Sequence, residues 1–310
     1  MSRDAGLFDR LVEDGRPLLT LTGIALLLSG GFTLFLSIRQ EFLPHDIAFL
    51  GLSAHELCAL AECRIVRFMF HDRVAFGGAL IAIAILYLWL AAFPLRAGER
   101  WAWWAFAISG VLGFASFLVY RGYGYLDTWH GVATLALIPC FLLGLWRTRG
   151  LGGHPAGSPA RTAGPPSPLL GRLGRAGLIA TGAGMIVAGL VIVTLGSTRV
   201  FVPQDLAFMG LSRPELQRIN PRLVPLIPHD RAGFGGGLLT IGVLVASCAW
   251  FARPSRTFYQ ALLLAGTAGF GCAIAVHYLV GYTDPTHLGP AWAGAALFYV
   301  SATSAWLGER

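Results

Sequence analysis

Lysine is absent from this chain of 310 residues, and all 23 of its basic side chains are arginines. Charge of either sign is scarce, at 13% of residues, where an ordinary soluble domain carries roughly 25%. Catalytic signatures are missing too: there is no phosphate loop, dinucleotide fingerprint, nucleophile elbow or zincin motif. Those absences remove the enzyme classes that a short motif would announce. What remains is 55% hydrophobic, the composition of a chain whose main solvent is a bilayer.

Eight stretches approach the length of about 20 apolar residues that a membrane-crossing helix needs: 18–37, 75–93, 101–120, 130–146, 176–196, 234–252, 258–279 and 289–307. The first follows a polar segment with four acids and has no small-residue cleavage site after it, so it reads as a retained anchor. Placing the N-terminus inside puts 13 Arg and 6 acids on the inner side, against 10 Arg and 10 acids outside. The formal charge of +7 then faces the cytoplasm, as the positive-inside rule prefers. The high Arg content is therefore assigned to the lipid surface, and no nucleic-acid role is implied.

The chain writes one unit twice. "FLPHDIAFLGLSAHEL" (42–57) matches "FVPQDLAFMGLSRPEL" (201–216) at 10 of 16 positions, and "HDRVAFGGAL" (71–80) matches "HDRAGFGGGL" (229–238) at 7 of 10. "GYLDTWH" and "GYTDPTH" align Asp127 with Asp284 and His130 with His287. Four spans per unit return the chain to its starting side, so the copies would be parallel repeats related by an axis along the membrane normal. The expected architecture is all-α and polytopic. Residues 1–17 form a cytoplasmic segment, 18–148 the first four-helix repeat, 149–172 a flexible Gly/Pro/Ser-rich linker and 173–310 the second repeat. Small residues such as the Gly pairs at 77–78 and 235–236 fit close helix approach.

Several polar residues have helix-start explanations. Ser53 with Glu56, and Ser212 with Glu215, form capping boxes and predict short outer helices at about 53–66 and 212–220. Asp284 before Pro285 reads as an N-cap, and Asp127 takes the same place in the first copy. Asp46 and Asp205 precede turns that end in Gly, while Asp72 and Asp230 are expected to cap the second and sixth spans. Of the five cysteines, Cys140, Cys248 and Cys272 fall in spans as packing, and Cys58 and Cys63 lie close enough in the first outer loop for a local disulfide.

Arg73 and Arg231, each expected at a helix N-terminus, need a negative partner, and Asp46 or Asp127 could clasp Arg73. A sharper alternative gathers His71, Asp72, Arg73, Asp127 and His130, with His229, Asp230, Arg231, Asp284 and His287 and the loop residues Asp46 and Asp205, in an outward-facing vestibule. His71, His130, His229 and His287 are the metal-ligand candidates there, although no close pair has zinc spacing and no cofactor is strongly implied. His277 is the one imidazole expected clearly inside a span, and the first copy lacks it. No Asp, Glu or Arg is expected near the centre of a span, which sets aside a proton-coupled carrier. Three functions stay open: a vestibule that binds a small ligand or membrane partner, a membrane-embedded metal- or cofactor-dependent enzyme, and a structural subunit holding a periplasmic or membrane-protein partner. The lipid bilayer is the common partner of all three, and the expected location is the inner membrane with both termini cytoplasmic.

Overall fold

The computed structural model describes residues 14–118, 128–151 and 168–309, without the side chains of 117, 118 and 128–130. Among these residues there are twelve helices and no strands. In the first part of the chain run α1 (Arg16–Arg39), α2 (Pro44–Leu50), α3 (Ala54–Leu60), α4 (Arg64–Ala92), α5 (Arg100–Leu118) and α6 (Thr128–Thr148). After the linker come α7 (Leu169–Ser197), α8 (Pro203–Met209), α9 (Arg213–Ile219), α10 (Leu223–Phe251), α11 (Arg256–Val280) and α12 (Pro285–Leu307). Six of the long helices, α1, α4, α6, α7, α10 and α11, are apolar enough over sufficient length to cross a membrane. The chain thus has the makings of a multi-pass helical membrane protein.

Local chemistry explains where the short helices begin and end. Pro44 and Pro203 open α2 and α8, where a missing N–H costs nothing, and Gly51 and Gly210 close them at φ 72° and 64°. The Asp46 carboxylate accepts from the Leu43 N–H at 3.2 Å, and Asp205 accepts from the Val202 N–H at 2.8 Å. Glu56 and Glu215 accept from the N–H groups of Ser53 and Ser212, each at 2.7 Å, as capping boxes require. The predicted helix at 212–220 matches α9, but that at 53–66 does not persist. It stops at Leu60, and Glu62 and Cys63 turn the backbone through positive φ before α4 starts. A Cys58–Cys63 disulfide closes that turn.

α4 and α10 form the core. Their apolar windows are 72% and 67% buried, against 17–28% for the other four candidate spans, so these two helices face protein on most sides. α1 packs on α4 and α7 on α10; α11 crosses to α4 and α5 crosses to α10. Glycine makes the closest of these approaches. A Cβ on Gly30 of α1 would lie 2.7 Å from the Gly77 carbonyl of α4, and one on Gly189 of α7 equally near the Gly235 carbonyl of α10.

The HDR triplets correct the sequence reading. α4 starts at Arg64 and α10 at Leu223, so His71–Arg73 and His229–Arg231 lie about two turns inside their helices. Asp72 and Asp230 are therefore not N-caps, and Arg73 and Arg231 are not helix-mouth cations. The helices start earlier than the apolar runs suggest because Ile65, Val66, Phe68, Met69 and Phe70, and their counterparts from Leu223 to Ile227, are buried in a second apolar cluster beneath the short helices. His277 is likewise joined by His71 and His229 as an imidazole inside a long helix. Asp72, Arg73, Asp230 and Arg231 are thus buried charges within α4 and α10, nearer the helix starts than their centres.

Candidate functional site

Four carboxylates and two guanidiniums meet where α4 and α10 run side by side. Arg73 Nη1 donates to Asp46 Oδ2 at 2.7 Å, and its Nε donates across the halves to Asp230 Oδ2 at 2.8 Å. Arg231 repeats this pattern: Nη1 donates to Asp205 Oδ2 at 2.6 Å, and Nε lies 3.4 Å from Asp72 Oδ2. Each triplet histidine turns Nδ1 toward the neighbouring aspartate, His71 to Asp72 and His229 to Asp230, both at 3.1 Å. All eight side chains are buried. Each short-helix aspartate thus holds its own arginine, and each arginine reaches the aspartate of the other triplet. Buried charges need such pairing, since an unpaired one would cost several kcal/mol.

Around His71 the network gains aromatic and imidazole neighbours. His71 Nε2 and His277 Nε2 are 3.0 Å apart, and His277 Nδ1 meets the Ala273 carbonyl at 2.6 Å. His287 completes a trio in which one ligand-capable atom from each residue lies within 4.8 Å of the others. Tyr282 stacks on the His287 ring, with centroids 4.5 Å apart, and donates its hydroxyl to Asp205 Oδ1 at 2.8 Å. Burial, and then the nearby Asp205 carboxylate, push the Tyr282 phenol well above its ordinary range, so it stays a donor.

The trio stands at one end of a cavity of about 680 Å³. Along α11 its lining runs from Leu262 to His277, about 22 Å of helix. Alanine, glycine, leucine and phenylalanine residues of α7, α10, α11 and α12 form most of the wall. Polar groups concentrate at the end that holds the trio, where Asp72, Gln204, Arg231 and Thr286 join the imidazoles. Thr181, far along the wall, spends its hydroxyl on the Gly177 carbonyl. Near His229 and Arg73 the space is much smaller, about 60 Å³.

Of the residues expected in a vestibule, the structure brings His71, Asp72, Arg231, Asp205 and His287 to the large cavity or its immediate support, and Arg73, Asp46, His229 and Asp230 to the smaller space. Asp284 does not join them. It is the N-cap of α12, its Oδ1 accepting from the N–H groups of Thr286 and His287 at 3.0 and 2.9 Å. Those bonds, with one from the Thr286 hydroxyl, hold its carboxyl below the usual range. Asp127 and the side chain of His130 lie outside the described residues.

Sequence reasoning missed three features: the cross-half pairs, Tyr282 as a support, and His277 as a partner of His71. His277 was passed over because the first copy has Tyr120 at the offset that aligns Asp127 with Asp284. Its spacing of ten residues before His287, across a helix end, is the signal that was available. Comparison with known protein families, curated proteins and solved structures gives no match for this chain.

Proposed function

We propose that the protein is an inner-membrane protein of eight spans, built as two parallel four-helix repeats with both termini cytoplasmic, which binds a small amphiphilic ligand from the outer half of the bilayer. The large cavity carries this reading. Its volume falls within the roughly 300–1,000 Å³ of small-molecule sites, and its long wall is apolar while its head is polar. A fully polar ligand would lose hydration along the wall without recovering hydrogen bonds. A hydrocarbon alone would make no use of His287, Gln204 and Thr286 at the head. A molecule with a compact polar group and an apolar body suits both ends. The position of the head also fits this orientation, because His71 lies near the outer start of α4 and His287 near that of α12.

The test is to transfer the protein from membranes into amphipol and identify by mass spectrometry the lipid-soluble molecules that remain bound. About one amphiphile per chain is expected. It should be lost when Trp replaces Ala265 or Ala188, both of which line the cavity, in variants that still purify monodisperse. Wild-type protein without bound amphiphile, or retention in both variants, would refute the reading.

A further inference from the structure

We propose that His71, His277 and His287 hold one divalent transition-metal ion of the borderline class to which zinc and copper belong. Hydrogen bonding sets the tautomers. The Ala273 carbonyl can only accept, so His277 carries its proton on Nδ1. Asp72 Oδ1 plays the same part for His71. With their Nδ1 atoms so occupied, both rings aim Nε2 at each other across 3.0 Å, an arrangement in which two lone pairs repel unless a cation bridges them. The third imidazole within 4.8 Å distinguishes a metal ion from a single shared proton, which needs only two nitrogens.

Two further observations favour a metal ion. A carboxylate and a backbone carbonyl on the far nitrogens of ligating histidines are the usual supports that orient such rings and raise their basicity. Charge also points this way: around the trio Asp72 and Asp205 face Arg231 alone, leaving one negative charge uncompensated in a buried setting. Three imidazoles with a cavity beside them resemble a site that keeps a coordination position open, whereas a closed structural site would use four protein ligands. The ion would sit at the head of the cavity proposed above to take an amphiphile. Metal content and lipid content are read separately, so either idea can fail without the other.

The experiment incubates the purified full-length protein with Zn²⁺, or with Cu²⁺ in a parallel sample, removes free metal by gel filtration and measures bound metal by mass spectrometry. About one equivalent per chain is expected. His277→Gln and His287→Gln should each lower it at least tenfold, while His55→Gln, at an exposed outer-loop position, leaves it unchanged. Less than half an equivalent with both ions, or a content that His277→Gln and His287→Gln do not alter, overturns the proposal. If those variants do not fold, X-ray absorption on the metal-loaded wild type decides. Three imidazole nitrogens at about 2.0 Å support the site, and sulfur ligation or fewer than three imidazoles refutes it.

Discussion

Arg73 and Asp230 stand 157 positions apart in the chain, yet the Arg73 Nε donates to Asp230 Oδ2 at 2.8 Å. The pair is buried, and Asp46 accepts from Nη1 at another edge of the same guanidinium. Removing Arg73 would strand two carboxylates away from water. Arg73→Ala should therefore destabilise the folded protein by about 3–5 kcal/mol, the usual penalty for breaking a buried pair. Arg73→Lys should rescue little, because one ammonium cannot reproduce the two directed bonds from Nε and Nη1. In a double-mutant cycle with Asp230→Asn the two losses should be far from additive. Thermal unfolding in detergent measures all three, and additivity within error would mean that the contact carries no coupling.

Much of the helical framework was legible because length and apolar content alone decide where a long helix can lie. Several helix ends were legible too, since Ser53 with Glu56, Gly51 and the Asp284–Pro285 pair act over three or four residues. The HDR triplets were misplaced for a physical reason. A charged tripeptide looks like the end of an apolar run, and it is tolerable inside a helix only through partners 26 or more residues away, half of them more than 150 residues distant. The imidazole trio was half legible: His71 and His287 stood out by repetition, whereas His277 has no counterpart to mark it.

The glycine contacts should tolerate no side chain. Gly30 and Gly189 meet the backbone of α4 and α10, not the movable end of a side chain, so a Cβ there must push the helices apart. Gly189→Leu is expected to cost at least the about 1–3 kcal/mol typical of overpacking, with Gly30→Leu similar. Gly184, where a Cβ meets nothing within 4 Å, provides the control, and Gly184→Ala should leave the unfolding temperature within a degree or two. A loss at Gly184 equal to that at Gly189 would show that lost backbone flexibility, and not close approach, is responsible.

Acid should undo the cap on α12. The Asp284 carboxyl is held below its ordinary value, chiefly by the Thr286 hydroxyl and also by the His287 and Thr286 N–H groups. A depressed folded-state value means that its stabilisation is complete above the unfolded range near pH 4 and disappears as the pH falls through the folded value. The difference in unfolding temperature between wild type and Asp284→Ala should accordingly be constant from pH 7 to pH 5 and shrink below about pH 4. A difference that grows on acidification has the wrong sign for an N-cap carboxylate.

The proposed orientation rests on charge and can be tested without any ligand. If the 13 arginines and 6 acids grouped with the N-terminus face the cytoplasm, Arg253 between α10 and α11 lies inside, and Arg218 in α9 lies outside. Both side chains are well exposed, so a cysteine at either site can react. In intact cells a membrane-impermeant maleimide should label Arg218→Cys within minutes, and should label Arg253→Cys only after permeabilisation. The reverse pattern would put the imidazole trio and the cavity head on the cytoplasmic side. Any ligand would then arrive from the inner leaflet, and the Cys58–Cys63 disulfide would stand in a reducing compartment, where such bonds are rarely kept.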